Sequence, residues 1–251
     1  MGRIVAMSPS PAGQRETPHV TPPPPQRSRS STVIGVDGCP DGWITITWNR
    51  MSGDTQARHL TTLDELDPAA VAAAVVAIDM PLRVPDDRRD SERALRRALG
   101  PRRSSVFATP PRVAIDAPDH ATASVLARAE TGRGVSRQAW NLVPKIREAI
   151  VWAETVDVPV IEVHPEGAFT ELLGAPARGG KKSWAGMTER LAALTSAGFA
   201  LLDLDPQTTG GALTDDLLDA AAAAWSADRY RRGVARPFSD RPHPAPDTIW
   251  A

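Results

Sequence analysis

The chain has 251 residues, of which 41% are hydrophobic, and a formal net charge of −1. This length and apolar content predict one domain of ordinary size, and the balanced charge gives no indication of binding to nucleic acid or membranes through net charge alone. The longest unbroken apolar run, residues 69–78, is too short to cross a bilayer.

The chain begins with a segment that has no structural periodicity. Residues 1–31 are rich in proline, serine and arginine, which predicts a disordered tail or an over-long start of the reading frame. No apolar signal-peptide core is visible there. The domain itself is predicted over residues 32–236, and residues 237–251 read as a second Pro-rich, loose tail.

The domain opens with a predicted hairpin. Residues 32–38 and 42–49 read as strands joined by a turn short enough for antiparallel pairing. The turn contains the chain's single cysteine, Cys39, which excludes an internal disulfide and favours a reducing, cytoplasmic location. Cys39 is interpreted as a small buried residue rather than a catalytic thiol.

Strand and helix patterns then alternate. Residues 55–62 predict a polar edge strand, and residues 66–74 predict a helix that runs directly into a strand over 75–79. The remaining segments are predicted helices over 88–99, 121–130, 136–154 with a kink at Pro144, 166–173 and 184–197, and a strand over 158–165. The last predicted helix covers 214–232, with Thr214 as N-cap and Gly233 as C-cap. This order indicates an α/β fold, a mixed sheet with helices packed on it.

Acidic residues lie at the ends of the predicted strands. Asp37 ends the first strand, Asp79 ends the strand over 75–79, and Glu162 lies two residues before His164 on one strand face. Each has a structural interpretation: Asp37 caps its turn, Asp79 begins a loop, and Glu162 pairs with an arginine.

The last helix adds three more carboxylates. Asp215 and Asp216 lie in its first turn, where the helix dipole favours them. Asp219 lies deeper, on the same face as both. Carboxylates that converge without partners repel one another, and a hard divalent cation such as Mg²⁺ removes this repulsion. Asp37 is therefore a candidate metal ligand.

Six motifs in chain order resemble the domain-of-unknown-function 429 family, predicted nucleases with an RNase H-like fold. They are GVDGCPDGW, AIDMP, RRSSVFATPPR, GRGVSRQAWNLVPKI, EVHPE and DDLLDA. The resemblance implies an RNase H-like mixed five-stranded sheet with the first strand central. It also implies an acidic site for Mg²⁺ or Mn²⁺ formed by Asp37, Asp79, Glu162 and Asp219, with Asp216 as an additional ligand.

The expected reaction is two-metal hydrolysis of a phosphodiester bond, with the two ions roughly 3.5–4 Å apart. Asp37 is the expected bridging ligand. His164 is either a proton shuttle or a structural residue at the strand end.

Nucleic acid, either DNA or RNA, is the expected partner. Phosphate oxygens are expected to contact basic and hydroxyl side chains of the RRSS and KK stretches, namely Arg102, Arg103, Ser104, Ser105, Lys181 and Lys182. Three alternatives stay open from the sequence: a sugar-kinase or actin-like ATPase, a non-catalytic nucleic-acid-binding or protein-interaction domain, and a hydrolase of small phosphorylated metabolites.

Overall fold

The structure, a computed structural model, describes residues 30–241 and 245–251. Its strands are β1 Thr32–Cys39, β2 Gly42–Asn49, β3 Thr55–Leu60, β4 Val76–Ile78, β5 Val160–Val163, β6 Pro237–Phe238 and β7 Ile249–Trp250. They form one mixed sheet in the order β3-β2-β1-β4-β5-β7-β6. β1, β4, β5 and β7 run parallel, whereas β2, β3 and β6 pair antiparallel to their neighbours.

Helices cover both faces of this sheet. They are α1 Asp90–Leu99, α2 Arg112–Ile115, α3 His120–Thr131, α4 Arg137–Asn141, α5 Val143–Ala153, α6 Pro165–Leu173, α7 Trp184–Ser196 and α8 Thr214–Arg232. No helix among residues 30–241 and 245–251 is long and apolar enough to cross a membrane. The expected mixed α/β architecture is confirmed.

β1 is buried on both faces, which explains its unbroken apolar run. Ile34 and Val36 pack with α5 residues in one core, whereas Val33 packs with α8 residues in the other. Because side chains alternate along a strand, Gly35 and Asp37 share the α8 face with Val33. The face that carries Asp37 is therefore the face covered by α8.

α8 approaches β1 unusually closely at Gly35. A Cβ atom there would lie 2.0 Å from the Ala220 carbonyl oxygen and 2.2 Å from the Ala224 nitrogen. The helix offers a run of buried alanines to the sheet, residues 220–224. Small residues on both partners allow this contact, which brings the acidic first turns of α8 down to the end of β1.

Two predictions about helices are wrong in detail. Residues 66–74 form no helix: residues 68–72 form turns, closed by a hydrogen bond from the Ala73 amide to the Pro68 carbonyl, and Ala72 has a φ of 50°. The Ala74 amide then donates to the Thr32 carbonyl and the Ile34 amide to the Val75 carbonyl, which leads the chain into β4. The N-cap of α8 is Leu213 rather than Thr214, and the C-cap is Gly233 as predicted. Pro144 lies in the first turn of α5, where proline is tolerated.

The sheet has seven strands rather than five because the C-terminal segment pairs with it. β7 pairs with β5 and β6, so the prediction of a loose tail over 237–251 is wrong for these strands. The predicted N-terminal tail lies outside the described residues up to residue 29. Ser31 already contacts the domain, since its hydroxyl donates to Asn49 Oδ1 at 2.9 Å.

Candidate functional site

Three carboxylates from distant parts of the chain meet at one edge of the sheet. Asp37 lies near the end of β1, Asp79 directly follows β4, and Asp219 lies in the second turn of α8. β1 and β4 are parallel neighbours, and the Asp79 amide donates to the Val36 carbonyl at 2.9 Å. Each aspartate offers an oxygen, and these oxygens lie within 4.8 Å of one another.

The environment of this aspartate cluster opposes ionisation. Burial and the charges of neighbouring carboxylates raise the pKa of Asp37 and of Asp79 well above the ordinary value. Burial also raises the pKa of Asp219 to about 6, although Lys181 opposes the shift. Ionisation of the metal-free cluster is therefore disfavoured first by burial and then by the negative charges of neighbouring carboxylates.

The donor set of the aspartate cluster suits a hard divalent cation. It consists of carboxylate oxygens from Asp37, Asp79 and Asp219 that lie close together, the ligand type that Mg²⁺ and Mn²⁺ prefer. A bound cation would remove the mutual repulsion that raises these pKa values. The residues present therefore fit the implied metal.

Lys181 already contributes one positive charge to the cluster. Its Nζ lies 2.6 Å from Asp219 Oδ2 and 3.5 Å from Asp215 Oδ2. The carboxylates raise the pKa of Lys181 above its ordinary value despite partial burial. The ammonium is therefore permanently charged at neutral pH.

Glu162 is not brought into the aspartate cluster. Both of its carboxylate oxygens accept hydrogen bonds from the Arg89 guanidinium, each at 2.6 Å, and the Leu82 amide donates to Oε2 at 3.0 Å. Although burial lowers it, the pKa of Arg89 is raised by the charge and hydrogen bonds of Glu162. Glu162 is thus one half of a buried ion pair, the structural alternative that the sequence had left open.

Asp216 and His164 lie beside the aspartate cluster. Asp216 Oδ2 accepts a hydrogen bond from the Leu213 amide at 2.9 Å, so this carboxylate caps α8. His164 lines the cleft at the start of α6, and burial lowers its pKa to about 4. The imidazole is therefore neutral near pH 7.

The aspartate cluster lies in an open cleft with a volume of about 560 Å³. Four of the predicted phosphate contacts line this cleft: Arg102, Ser104, Ser105 and Lys181. Arg103 and Lys182 lie outside it, on the exposed surface. The Arg102 guanidinium donates to the backbone carbonyls of Ala177 and Arg178. These hydrogen bonds hold the loop at residues 177–178, so fewer N–H groups of Arg102 are free to contact phosphate.

Two residues that the sequence prediction did not include also line the cleft, Glu166 and Lys145. Glu166 Oε1 accepts from Arg190 at 2.6 Å, whereas its buried Oε2 has no hydrogen-bond partner among the described residues. Lys145 lies over the Trp43 ring, 4.4 Å from the centroid. For Lys145, the available sequence signal was the rarity of lysine, because two of the chain's three lysines line this cleft.

Cys39 lines the same cleft at the hairpin turn. Burial raises the pKa of its thiol to about 11, with Asp41 adding to the shift. The thiol is therefore protonated near neutral pH, which agrees with a small buried residue rather than a nucleophile.

Comparison with known proteins gives one match. The family described as Protein of unknown function (DUF429) matches residues 35–244, which covers more than half of the chain. No curated protein and no solved structure matches the chain significantly.

Proposed function

The chain belongs to the DUF429 family, and we propose that it is a divalent-cation-dependent phosphodiester hydrolase acting on nucleic acid. The observation that carries this proposal is the convergence of Asp37, Asp79 and Asp219 within 4.8 Å. The three come from a strand, a strand-end loop and a helix, and each pays a desolvation penalty in the absence of a cation. Structural roles alone give no reason for burying three like charges together.

Mg²⁺ or Mn²⁺ is the proposed cofactor. When bound, such a cation lowers the pKa of a water ligand and stabilises negative charge on phosphate. The aspartate cluster would hold the cation, and Lys181 and Arg102 place positive charge along the cleft wall. His164 lines the cleft, but the burial that lowers its pKa to about 4 disfavours its protonation, so the proposal gives it a structural rather than a proton-shuttling role.

The fold of the first five strands supports an RNase H-like arrangement as part of the proposal. β1 lies between β2 and β4 and is flanked by the antiparallel hairpin on one side and parallel strands on the other. This strand order supports the five-stranded sheet that the family resemblance implies, and β6 and β7 extend the observed sheet to seven strands. A cytoplasmic location is also proposed, and the single reduced cysteine is compatible with it.

A cleavage screen tests the proposed reaction. Wild type, Asp79→Asn and the exposed control Asp157→Asn are incubated with Mg²⁺ or Mn²⁺ and with single-stranded, duplex, hybrid and branched nucleic acids. We expect cleavage by wild type and by Asp157→Asn, and a loss of at least 100-fold in Asp79→Asn, because a metal ligand is removed.

The same screen separates the alternative functions. ATP and a small phosphodiester are included as substrates, so turnover of either without nucleic-acid cleavage would assign the site to an ATPase or a small-phosphate hydrolase. Cation-dependent binding of nucleic acid without cleavage would indicate a binding domain. Cleavage that is equal in wild type and Asp79→Asn would contradict the proposed active site.

A further inference from the structure

Lys181 is the one lysine in direct contact with the carboxylates of the aspartate cluster in the described part of the chain. Its ammonium is 2.6 Å from one oxygen of Asp219, which leaves the other Asp219 oxygen for a cation. Asp215 lies on its other side at 3.5 Å. A positive charge therefore already lies beside the three-carboxylate group, on the α8 side.

The loop that carries Lys181 packs closely against the domain and is hydrogen-bonded to it. Gly179 and Gly186 pack backbone against backbone, and a Cβ on Gly186 would lie 2.0 Å from the Gly180 carbonyl oxygen. The fully buried Arg190 donates to the Gly179 carbonyl at 3.1 Å and to Glu166 at 2.6 Å.

The other side of this loop is held as well. Arg102 donates to the Ala177 and Arg178 carbonyls. The Arg178 amide donates to Glu189 at 2.8 Å. These contacts fix the backbone that leads to Lys181, and the ion pairs with Asp219 and Asp215 place its ammonium at the cluster although the side chain is 39% exposed.

We infer that Lys181 is a built-in second cation of this site, so that the cleft takes one divalent ion where a two-ion centre was expected from sequence. This inference rests on the proposed function, because it concerns how the same cluster is neutralised. Glu162, the ligand expected to complete a second metal site, is bound to Arg89. Arg190 and Arg102 are positioning residues that act through the Lys181 loop.

Charge balance supports a single divalent ion. Within the group that converges within 4.8 Å, one divalent ion and the Lys181 ammonium balance the three carboxylates of Asp37, Asp79 and Asp219. Asp215 contacts the ammonium from its other side and lies outside this group. A second divalent ion would have to approach Asp219 Oδ2 against the ammonium that already contacts it at 2.6 Å. A cation that shared this oxygen would lie next to the ammonium, and repulsion between neighbouring positive charges opposes binding in a partly buried cleft.

Removing the ammonium should open the second position. Asp219 Oδ2 and Asp215 Oδ2 would lose their cationic partner. The unpartnered Oε2 of Glu166 lines the same cleft. These oxygens are the donor type that a second hard cation prefers.

The test is the number of Mn²⁺ ions bound per chain, measured by equilibrium dialysis for the full chain. The proteins are wild type, Lys181→Met, Lys181→Gln, the exposed-neighbour control Lys182→Met, and Asp79→Asn to locate the binding. We expect about one ion in wild type and Lys182→Met, about two in the Lys181 variants, and a tenfold or greater loss of affinity in Asp79→Asn. Thermal melts verify that each variant is folded. The number of Mn²⁺ ions bound by wild type tests the inference independently of the variants.

The outcomes separate this inference from the proposed function. Two Mn²⁺ ions in wild type, or one in folded Lys181 variants, would overturn the inference and leave the hydrolase proposal standing. Absence of Mn²⁺ binding in wild type, or binding that Asp79→Asn does not weaken, would overturn both.

Discussion

At the scale of single residues, the site is defined by carboxylates whose charges Lys181 neutralises only in part. Asp37 illustrates this: its Oδ1 accepts from the Gly38 amide at 2.8 Å, yet burial and the charges of Asp79 and Asp219 raise its pKa. One hydrogen bond does not offset these costs. Repulsion between these carboxylates therefore raises the free energy of the cation-free folded state, and cation binding lowers it.

This repulsion makes the stability of the metal-free protein depend on pH. A carboxyl whose folded pKa is raised is protonated without penalty below its ordinary value near 3.8, and stability is lost as pH rises toward the folded pKa. Asp37→Asn removes this loss and keeps an acceptor for Gly38. In EDTA, we expect the mutant to match wild type near pH 4 and to exceed it increasingly toward pH 7, by at most about 1.4 kcal/mol per pH unit.

Thermal melts at pH 4.5, 6 and 7.5 measure this difference. Mn²⁺ at pH 7.5 should stabilise wild type by RT ln(1 + [L]/Kd), roughly 2.7 kcal/mol at about 100 times Kd, and should stabilise Asp37→Asn much less. An Asp37→Asn protein that is equally destabilised at every pH, with no effect of Mn²⁺ on wild type, would show that Asp37 has a structural role.

Glu162 should behave in the opposite way. Because Arg89 and Glu162 form a buried bidentate pair, Glu162→Gln leaves an uncompensated buried guanidinium and should cost about 3–5 kcal/mol. The Mn²⁺-induced rise in melting temperature should nevertheless persist, whereas Asp79→Asn should lose it. A stable Glu162→Gln protein without a Mn²⁺ response would make Glu162 a metal ligand after all.

The sequence could place these carboxylates but not assign their partners. Asp37 and Asp79 lie at the ends of apolar runs, which marked them as candidates, whereas the family resemblance implied that their two strands lie side by side. The partner of Glu162 did not follow from the sequence, because Arg89 is 73 positions away and meets it only through the packing of the chain before α1 against β5. In a chain with many arginines, no local signal distinguishes Arg89.

At the scale of elements, the contact between β1 and α8 positions Asp37 against Asp219. Gly35→Ala would place a methyl group 2.0 Å from the Ala220 carbonyl oxygen, so helix and strand would have to separate. We expect a loss of about 3 kcal/mol or more, since backbone on both sides must move, together with weaker Mn²⁺ binding. Gly180→Ala is the matched control, because the nearest atom to its added Cβ is 3.9 Å away.

Denaturant unfolding and Mn²⁺ titration of the two glycine variants measure both effects. Gly35→Ala with wild-type stability and wild-type Mn²⁺ affinity would mean that this contact does not set the geometry of the site.

Element prediction succeeded where local pattern and packing agree. α8 was recognised from its length and from Gly233, whose φ of 74° suits a glycine C-cap. Residues 66–74 show the converse: alanine favours a helix, but the Ala74 amide donates to the Thr32 carbonyl across the sheet and the residues before it form turns. Tertiary pairing overrode propensity there.

At the scale of the whole molecule, the C-terminal segment is part of the sheet. Ile249 and Ala251 are buried, the Ala251 amide donates to the Arg236 carbonyl at 3.0 Å, and the Asp247 carbonyl accepts from Arg89 at 2.8 Å. A two-residue strand in a Pro-rich stretch is too short for any periodicity to reveal. The position of β7 is explained by tertiary pairing, because it covers the edge of β5.

Truncation separates the two ends of the chain. Removing residues 245–251 should cost several kcal/mol, because it uncovers β5, removes buried apolar surface and takes a partner from Arg89. Removing residues 1–29 should leave the melting temperature nearly unchanged, as their composition predicts. Equal effects of the two truncations in thermal melts would contradict this assignment.

The central claim is that three distant aspartates form one cation site, and anomalous diffraction from Mn²⁺-soaked crystals tests it most directly. The account predicts an anomalous peak among the carboxylates of Asp37, Asp79 and Asp219, about 2.0–2.4 Å from their oxygens. An anomalous map without a peak among these carboxylates, at a Mn²⁺ concentration that saturates binding in solution, would contradict it.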